Sequence, residues 1–381
     1  MAKNPYLSML YKVDWLTFGL VPKIVIDSSF SNDYMLNYLG YNVSDFEQIP
    51  GRFFYNSGLT LGNYVNIYYN DPTKDISKYS VNNVLYVFTG QGSTDLAKRL
   101  SKKYDSDNWQ FVWLKFFQLL KSLDAKITRI DIALDDYHGV LDFDLMEGKL
   151  NKGEYRSSKR RYNVLKQLDT SGNIKGRSIY VGQSRAKVSK SGNYFVRFYD
   201  KYAEYKDKSA VMPKEVEDVT SGGGTHFWQR YEIQFNKGKA QNVVNEVLSE
   251  GSFAEVYMAV MRNIIEFLEP SNGKNKARWH VSDWWERFLN GASKCTLSDP
   301  ERDLDLGRLL NWVRVAVVPS LHLLETICKS KGYDIYNLIQ QCQIDDYAKK
   351  QKRLLENSLS MPENLISLYL KDFLNGYSKN E

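Results

Sequence analysis

The sequence predicts an α+β fold, with a mixed, largely antiparallel central sheet and a helical C-terminal region. Three observations lead there. Over the first 245 positions, short runs rich in Val, Ile, Tyr, Phe and Thr end at turn residues, as strands do. Apolar and polar residues alternate within these runs, which favours a sheet with one solvated face over a parallel sheet buried on both. After about residue 245 the apolar spacing lengthens to three or four, the period of helices. The expected domains are therefore 1–245, a sheet domain, and 246–381, mostly helical.

In chain order, strands are expected at Lys12 to Leu20 (KVDWLTFGL), Gly62 to Asp71 (GNYVNIYYND) and Asn83 to Gly90 (NVLYVFTG). Between Asn108 and Ala125, Trp109, Val112, Trp113, Phe116, Phe117 and Leu120 recur every three to four residues, the stripe of an amphipathic helix facing a core. Four further strands are expected at Lys126 to Tyr137, Gly176 to Ser184, Gly192 to Glu204 and Thr225 to Phe235. The glycine run Gly222 to Gly224, preceded by Met212 and Pro213, reads as a flexible connection within the sheet region. Ser252 with Glu255 forms a capping box for a helix through Val256, Val260, Ile264 and Phe267 that Pro270 stops. Helices are also expected at Ser282 to Asn290, Arg308 to Val318, Leu321 to Ser330 and Pro362 to Leu374.

Composition excludes several classes. Of 381 residues, 43% are hydrophobic and 14% aromatic, with only 9 prolines, so the chain has the apolar content to fold and is neither disordered nor collagen-like. No segment approaches the roughly 18 apolar residues of a membrane span, and the N-terminus lacks a secretion signal, so no membrane span and a cytoplasmic location are expected. Cys295, Cys328 and Cys342 are an odd number without metal spacing and read as reduced thiols. The net charge of +6 is unevenly spread. From Lys149 to Lys208 sixteen Lys/Arg face five Asp/Glu, a local excess of eleven that leaves the rest of the chain at −5. Tyrosines interleave with this basic belt, which suits a phosphate backbone; a solvated loop face is the plainer alternative. Arg160, Arg161, Arg177, Arg185, Lys187 and Lys190 are its candidate DNA contacts.

The chemistry is narrowed by what is missing. His138, His226, His280 and His322 share no short spacing, which argues against zinc, HExxH and the paired-histidine metal site of many single-strand nicking enzymes. There is no GxxxxGK[ST] and no GxSxG. What remains is carboxylates and tyrosines on strands. Alternation along Lys126 to Tyr137 sets Arg129, Asp131, Ala133 and Asp135 on one face and Ile130, Ile132 and Leu134 on the other. In RYEIQF, Arg230, Glu232 and Gln234 likewise share a face. If the two strands are neighbours, Asp131, Asp135 and Glu232 converge as hard oxygen ligands suited to Mg²⁺ or Mn²⁺ in phosphoryl transfer. The alternative is that Asp131 and Glu232 pair with Arg129 and Arg230 across the sheet. A third strand sets Arg197, Tyr199 and Lys201 on one face, where two cations flank a phenol that needs them to act as a nucleophile. Among 27 tyrosines that signal alone is weak.

Taken together and in this order, KVDWLTF, TRIDIALDD, GRSIYVGQS, YFVRFYDKYAE and QRYEIQF resemble the rolling-circle replication initiators of Gram-positive plasmids and the related relaxases of integrative conjugative elements, the Rep_trans family. The resemblance spans about residues 12 to 330 and includes WWERFL. It implies a DNA strand transferase that nicks one strand at an origin, leaving a 5′-phosphotyrosyl link and a free 3′-OH. By position it implies Tyr199 as nucleophile, Arg197 and Lys201 as phosphate contacts, and Asp131 and Glu232 as metal ligands. Asp135 or Asp136 would complete the metal site, with Glu204 a weaker extra acid. It implies single- and double-stranded origin DNA as substrate, a host helicase as partner, and a homodimer as in plasmid initiators. A conjugative-element relaxase is favoured over a plasmid or prophage initiator. A non-catalytic origin-binding protein is the competing class.

Overall fold

The computed structural model describes residues 10–20, 33–71, 73–74, 84–182, 193–208, 227–271, 275–289 and 313–342, with isolated positions elsewhere. The chain divides into two compact units, Met1–Asp299 and Pro300–Glu381.

The first unit is built on a ten-stranded sheet. Its strands in chain order are β1 (Leu10–Leu20), β2 (Glu47–Pro50), β3 (Ser57–Leu61), β4 (Val65–Tyr69), β5 (Val84–Phe88), β6 (Lys126–Asp136), β8 (Tyr162–Leu168), β9 (Ile174–Val181), β10 (Tyr194–Asp200) and β11 (Gln229–Asn236), while β7 (Tyr155–Ser157) lies in a second sheet. The spatial order is β2-β3-β4-β5-β1-β6-β11-β10-β9-β8, and every pairing is antiparallel. The α+β expectation therefore holds, and β6, β11 and β10, the three strands that carry the candidate site, are consecutive neighbours.

One face of this sheet is the core. Ile130, Ile132 and Leu134 of β6, Tyr231, Ile233 and Phe235 of β11, and Val196 and Phe198 of β10 are buried there. Helices α1 (Tyr34–Leu39), α2 (Gly90–Tyr104), α3 (Trp109–Ser122) and α4 (Phe143–Lys152) contribute to the same cluster. In α3 the Asn108 side chain accepts from the Phe111 N–H at 3.0 Å and caps the helix, and the expected aromatic stripe is buried through Val112, Trp113, Phe116, Phe117 and Leu120. Burying each of those side chains contributes roughly 1.5–3 kcal/mol.

After β10 the chain turns directly into α5 (Lys201–Lys208), so the expected strand through Glu204 stops at Asp200, whose carboxylate accepts from the Ala203 N–H at 2.8 Å. The Gly222 to Gly224 run, with Met212 and Pro213, lies outside the described residues. The expected division at 245/246 falls inside α6 (Gly238–Glu250), whose Ala240, Val243, Val244 and Val247 belong to the sheet's core. Helix α7 (Phe253–Ile264) starts as expected, with the Ser252 hydroxyl accepting from the Glu255 N–H at 3.3 Å. It ends earlier than expected: Ile265 is already extended and opens β12 (Ile265–Glu269), which pairs with β7 and β13 (His280–Val281). Phe267 is thus a strand residue. Helix α8 (Asp283–Leu289) brings Trp285 and Phe288 onto Phe198 and Tyr231.

The opposite face of the large sheet is mixed. Between β2 and β5 it holds a small apolar cluster of Tyr55, Tyr68 and Val87, bordered by Trp15, Ile49 and Leu85. The turn beyond β2 is unusual. Phe53 and Phe54 have φ of 56° and 72°, and Tyr55 N–H donates to the Arg52 carbonyl at 3.0 Å, the pattern of a type I′ turn that Asn-Gly normally fills.

In the second unit, α9 (Val318–Ser330) and α10 (Ile335–Gln341) are described. Pro319 sits in the first turn of α9, where its missing N–H costs nothing, so it opens a helix. Cys328 and Cys342 are free thiols, and Cys295 lies outside the described residues. Among the described residues no helix is long and apolar enough to cross a membrane.

Candidate active site

The antiparallel register stacks the polar residues of four strands in rows. Ser178 of β9 faces Tyr199 of β10, which faces Arg230 of β11, which faces Asp135 of β6. In the next row Tyr180 faces Arg197, then Glu232, then Ala133. Because facing residues share a side of the sheet, all of these lie on the face opposite the core.

Tyr199 is buried, and its hydroxyl lies 3.4 Å from Glu232 Oε2 and 3.5 Å from Arg197 Nη2. Arg197 Nη2 donates to the same Glu232 oxygen at 2.8 Å, and its guanidinium lies 4.5 Å from the centre of the Tyr199 ring. Burial, and then the Glu232 charge, raise the Tyr199 pKa well above that of a free phenol, against the pull of Arg230 and Arg197. In this geometry Tyr199 is a neutral phenol donating to a carboxylate with a guanidinium beside it. Burial works against the charge on Arg197, but Glu232 and Tyr199 outweigh it and raise its pKa. Lys201 opens α5 with its ammonium 5.5 Å from the Tyr199 ring centre and 2.7 Å from Glu204 Oε2. Burial and the neighbouring Arg230 lower its pKa.

The three expected metal ligands part company. Asp135 is bound on both oxygens by Arg230, Nε at 2.6 Å and Nη2 at 2.9 Å, and also accepts from Trp228 Nε1 at 2.9 Å. Asp136 points to the other side, where it accepts from the backbone of His138, Gly139 and Val140 and from the Tyr231 hydroxyl. It holds a turn. Asp131 lies diagonally across from Glu232, since it faces Gln234. It is paired with Arg129 through Nε at 3.0 Å and Nη2 at 2.5 Å. Burial, opposed by Arg129 and aided by the charges of Glu232 and Asp14, lifts its pKa to about 7.

Asp14 is the residue that strand alternation missed. The β1 to β6 register slips between Val13 and Trp15, so Asp14 is a bulge residue without a place in the ladder. Its Oδ1 is 2.8 Å from Arg230 Nη1 and 3.2 Å from Lys12 Nζ. Burial is outweighed by Arg230, Lys12 and Lys201, which hold its pKa down at about 2. The signal available in KVDWLTF was the apolar pair Trp15 and Leu16, which breaks the polar-apolar alternation directly after an acid.

The candidate DNA contacts also divide. Arg160 and Arg161 are exposed at the turn into β8. Arg177 is mostly buried and turned to the opposite side of the sheet, where it pairs with Asp144 at 2.6 Å; Lys166 beside it pairs with Glu147 at 2.7 Å. Arg177 is thus committed to helix α4 rather than to the open face. Arg185, Lys187 and Lys190 lie outside the described residues. A cavity of about 340 Å³ opens beside Tyr199 and Arg197, between β8, β9 and the start of α5.

Among the described residues no group of three or more His, Cys, Asp or Glu side chains is arranged to hold a metal ion. Asp135 does not fit such a role, because both of its oxygens are taken. Asp131 is likewise held on both oxygens, by Arg129, and Glu232 Oε2 by Arg197, so a cation on this pair would have to displace Arg129; what favours the pair is that the two acids share one face and a cation would relieve their mutual repulsion. Mg²⁺ characteristically takes only one or two carboxylates and completes its shell with substrate phosphate and water.

Comparison with known proteins gives the family. The replication initiation factor family, Rep_trans, matches residues 125–339. A protein of Bacillus subtilis (strain 168) named "Putative DNA relaxase NicK" is 23% identical over 290 residues, covering 75% of this chain and 74% of its own length. The solved structure of the rolling circle replication initiator protein from Geobacillus stearothermophilus superposes with a TM-score of 0.55 at 22% identity, covering 77% of this chain and 99% of that one. That likeness establishes a shared fold. With more than half of its length matched, the chain belongs to the replication initiation factor family.

Proposed function

We propose that this protein is an origin-specific DNA nicking and joining enzyme, a relaxase or rolling-circle replication initiator, that works through Tyr199. The observation that carries the reading is the Tyr199 hydroxyl at 3.4 Å from Glu232 and 3.5 Å from Arg197, at the edge of an open cavity. The similarity to a relaxase by name and to a rolling-circle initiator by fold supports it.

In this mechanism the Tyr199 oxygen attacks the scissile phosphorus, a Tyr199 O–P bond forms, and the P–O3′ bond breaks. The phenol proton passes to Glu232, the acceptor already within reach, and the departing 3′ oxygen takes a proton from water to become a free 3′-OH. Arg197, with Lys201 near the ring, stabilises the phenolate and the charge that builds on the phosphoryl oxygens. The phosphotyrosyl bond conserves the phosphodiester energy, so the 3′-OH can reverse the step without ATP. A Mg²⁺ or Mn²⁺ ion held by Asp131 and Glu232 would supply further stabilisation of phosphoryl charge. The protein acts in the cytoplasm on single- and double-stranded origin DNA, with a host helicase opening the strands.

The test mixes wild-type and Tyr199→Phe protein with Mn²⁺ and labelled single strands tiled across the encoding gene and its flanks, resolved on a denaturing gel. The expected result is a labelled protein band for wild type and none for the variant. Binding without any band, for every tile, would favour a recognition protein.

A further inference from the structure

We propose that the cavity beside Tyr199 is a nucleobase subsite, which takes one base adjoining the scissile phosphate out of the strand's stack and reads its edge. This rests on the nicking reading above and specifies how the substrate is held.

The cavity floor is made of two cross-strand rows. Leu165 faces Ser178, which faces Tyr199; in the next row Gln167 faces Gly176. Gly176 is what keeps the second row open. A Cβ built there would stand 3.5 Å from Ala203 Cβ of α5 and 3.5 Å from Gln167 Oε1, so any longer side chain would extend into the space between them. The volume of about 340 Å³ is at the small end of ligand pockets, which suits a single nucleotide unit.

The lining distinguishes a base from a phosphate. A phosphate subsite needs cations, yet Lys166 and Arg177, on the same two strands, send their charges through the sheet to Glu147 and Asp144. Arg197 stands at the Tyr199 side of the cavity, where the scissile phosphate must lie. Beyond it the wall offers apolar surface from Leu165 and Ala203, the amide of Gln167, the hydroxyls of Ser178 and Tyr180, and the acids Asp200 and Glu204, which would repel a phosphate. An amide that both donates and accepts, set beside a hydroxyl, matches the hydrogen-bonding edge of a base, and the apolar wall matches its face. Gln167 is the residue the geometry assigns to base identity.

The experiment uses the full chain and single-stranded oligonucleotides spanning the nick, each with an abasic residue at one position near it, and reads the rate of covalent adduct formation. For wild type, one position beside the nick should slow the reaction roughly tenfold or more when its base is removed. Gly176→Leu should react slowly on the intact strand and lose that penalty, because its pocket is filled. Gln167→Ala should change which of the four bases is preferred at that position while leaving the melting temperature close to wild type. Equal rates at all abasic positions for wild type, or an undiminished penalty in folded Gly176→Leu, would overturn the subsite. If Gly176→Leu does not fold, the wild-type abasic scan and Gln167→Ala decide alone. No adduct with any wild-type oligonucleotide would instead count against the nicking reading itself.

Discussion

The open face of the large sheet has two halves built by opposite means. From β2 to β5 it is closed by Tyr55, Tyr68 and Val87, ordinary apolar burial. From β6 to β10 it holds charges: Arg129 with Asp131, Arg230 with Asp135 and Asp14, and Arg197 with Glu232. Arg129 joins the halves, its guanidinium 3.9 Å from the centre of the Trp15 ring. Buried ion pairs are a poor way to stabilise a sheet, because desolvation consumes most of their attraction. The charged half therefore makes most sense as a site, held by mutual compensation, and the apolar half as the support that fixes its register.

The largest effect that would expose this difference is at Arg230. Changing Arg230→Met leaves Asp135 and Asp14 buried without their partner and should cost about 3–5 kcal/mol in denaturant unfolding. Exchanging Asp14, Asp135 and Arg230 together for apolar residues of like size should recover most of that loss. An unchanged unfolding midpoint for Arg230→Met would mean the triad carries no compensation. Next, in the apolar half, Val87→Ala should cost about 1–3 kcal/mol through lost burial and a residual cavity, with the rate of adduct formation unaltered. A Val87 variant that kept its stability but lost nicking would erase the distinction between the halves.

Acid should weaken the charged half through Asp14. The Asp14 carboxyl titrates at about 2 in the folded protein against an ordinary 3.8, so its contribution is present above about pH 4 and is lost as pH falls through 2. Over that window wild type should lose about 2 kcal/mol more than Asp14→Asn. Parallel stability profiles for the two proteins would contradict the placement of Asp14 against Arg230. The smallest effect belongs to the turn at the far edge. Replacing Phe53 and Phe54, both left-handed, by Asn and Gly should stabilise the protein by about 1 kcal/mol. A lower melting temperature would show that the two rings pack usefully where they are.

Much of this was legible in the sequence, for identifiable reasons. Strand alternation placed Ile130 and Ile132 in the core with Asp131 opposite, and the resemblance singled out Tyr199, Arg197 and Glu232, which the fold brings into contact. Partner choice was not legible, because it depends on register. Arg230 faces Asp135 and not Asp131, which Arg129 of its own strand holds, and the guanidinium on Glu232 comes from Arg197 on the other neighbouring strand. Asp14 escaped because a bulge breaks the period that alternation relies on. Phe267 was misread as helical because α7 runs into β12 with no proline or glycine at the junction. Arg177 counted as part of a basic belt, but its strand alternation turns it to the acids of α4.

The central claim, that Tyr199 is the nucleophile, is tested most directly by trapping the adduct on a nicking-site oligonucleotide, digesting the protein, and sequencing the nucleotide-bearing peptide by mass spectrometry. The account predicts the added nucleotide mass on Tyr199 alone. The same mass on Tyr180, Tyr202 or any other residue would contradict it.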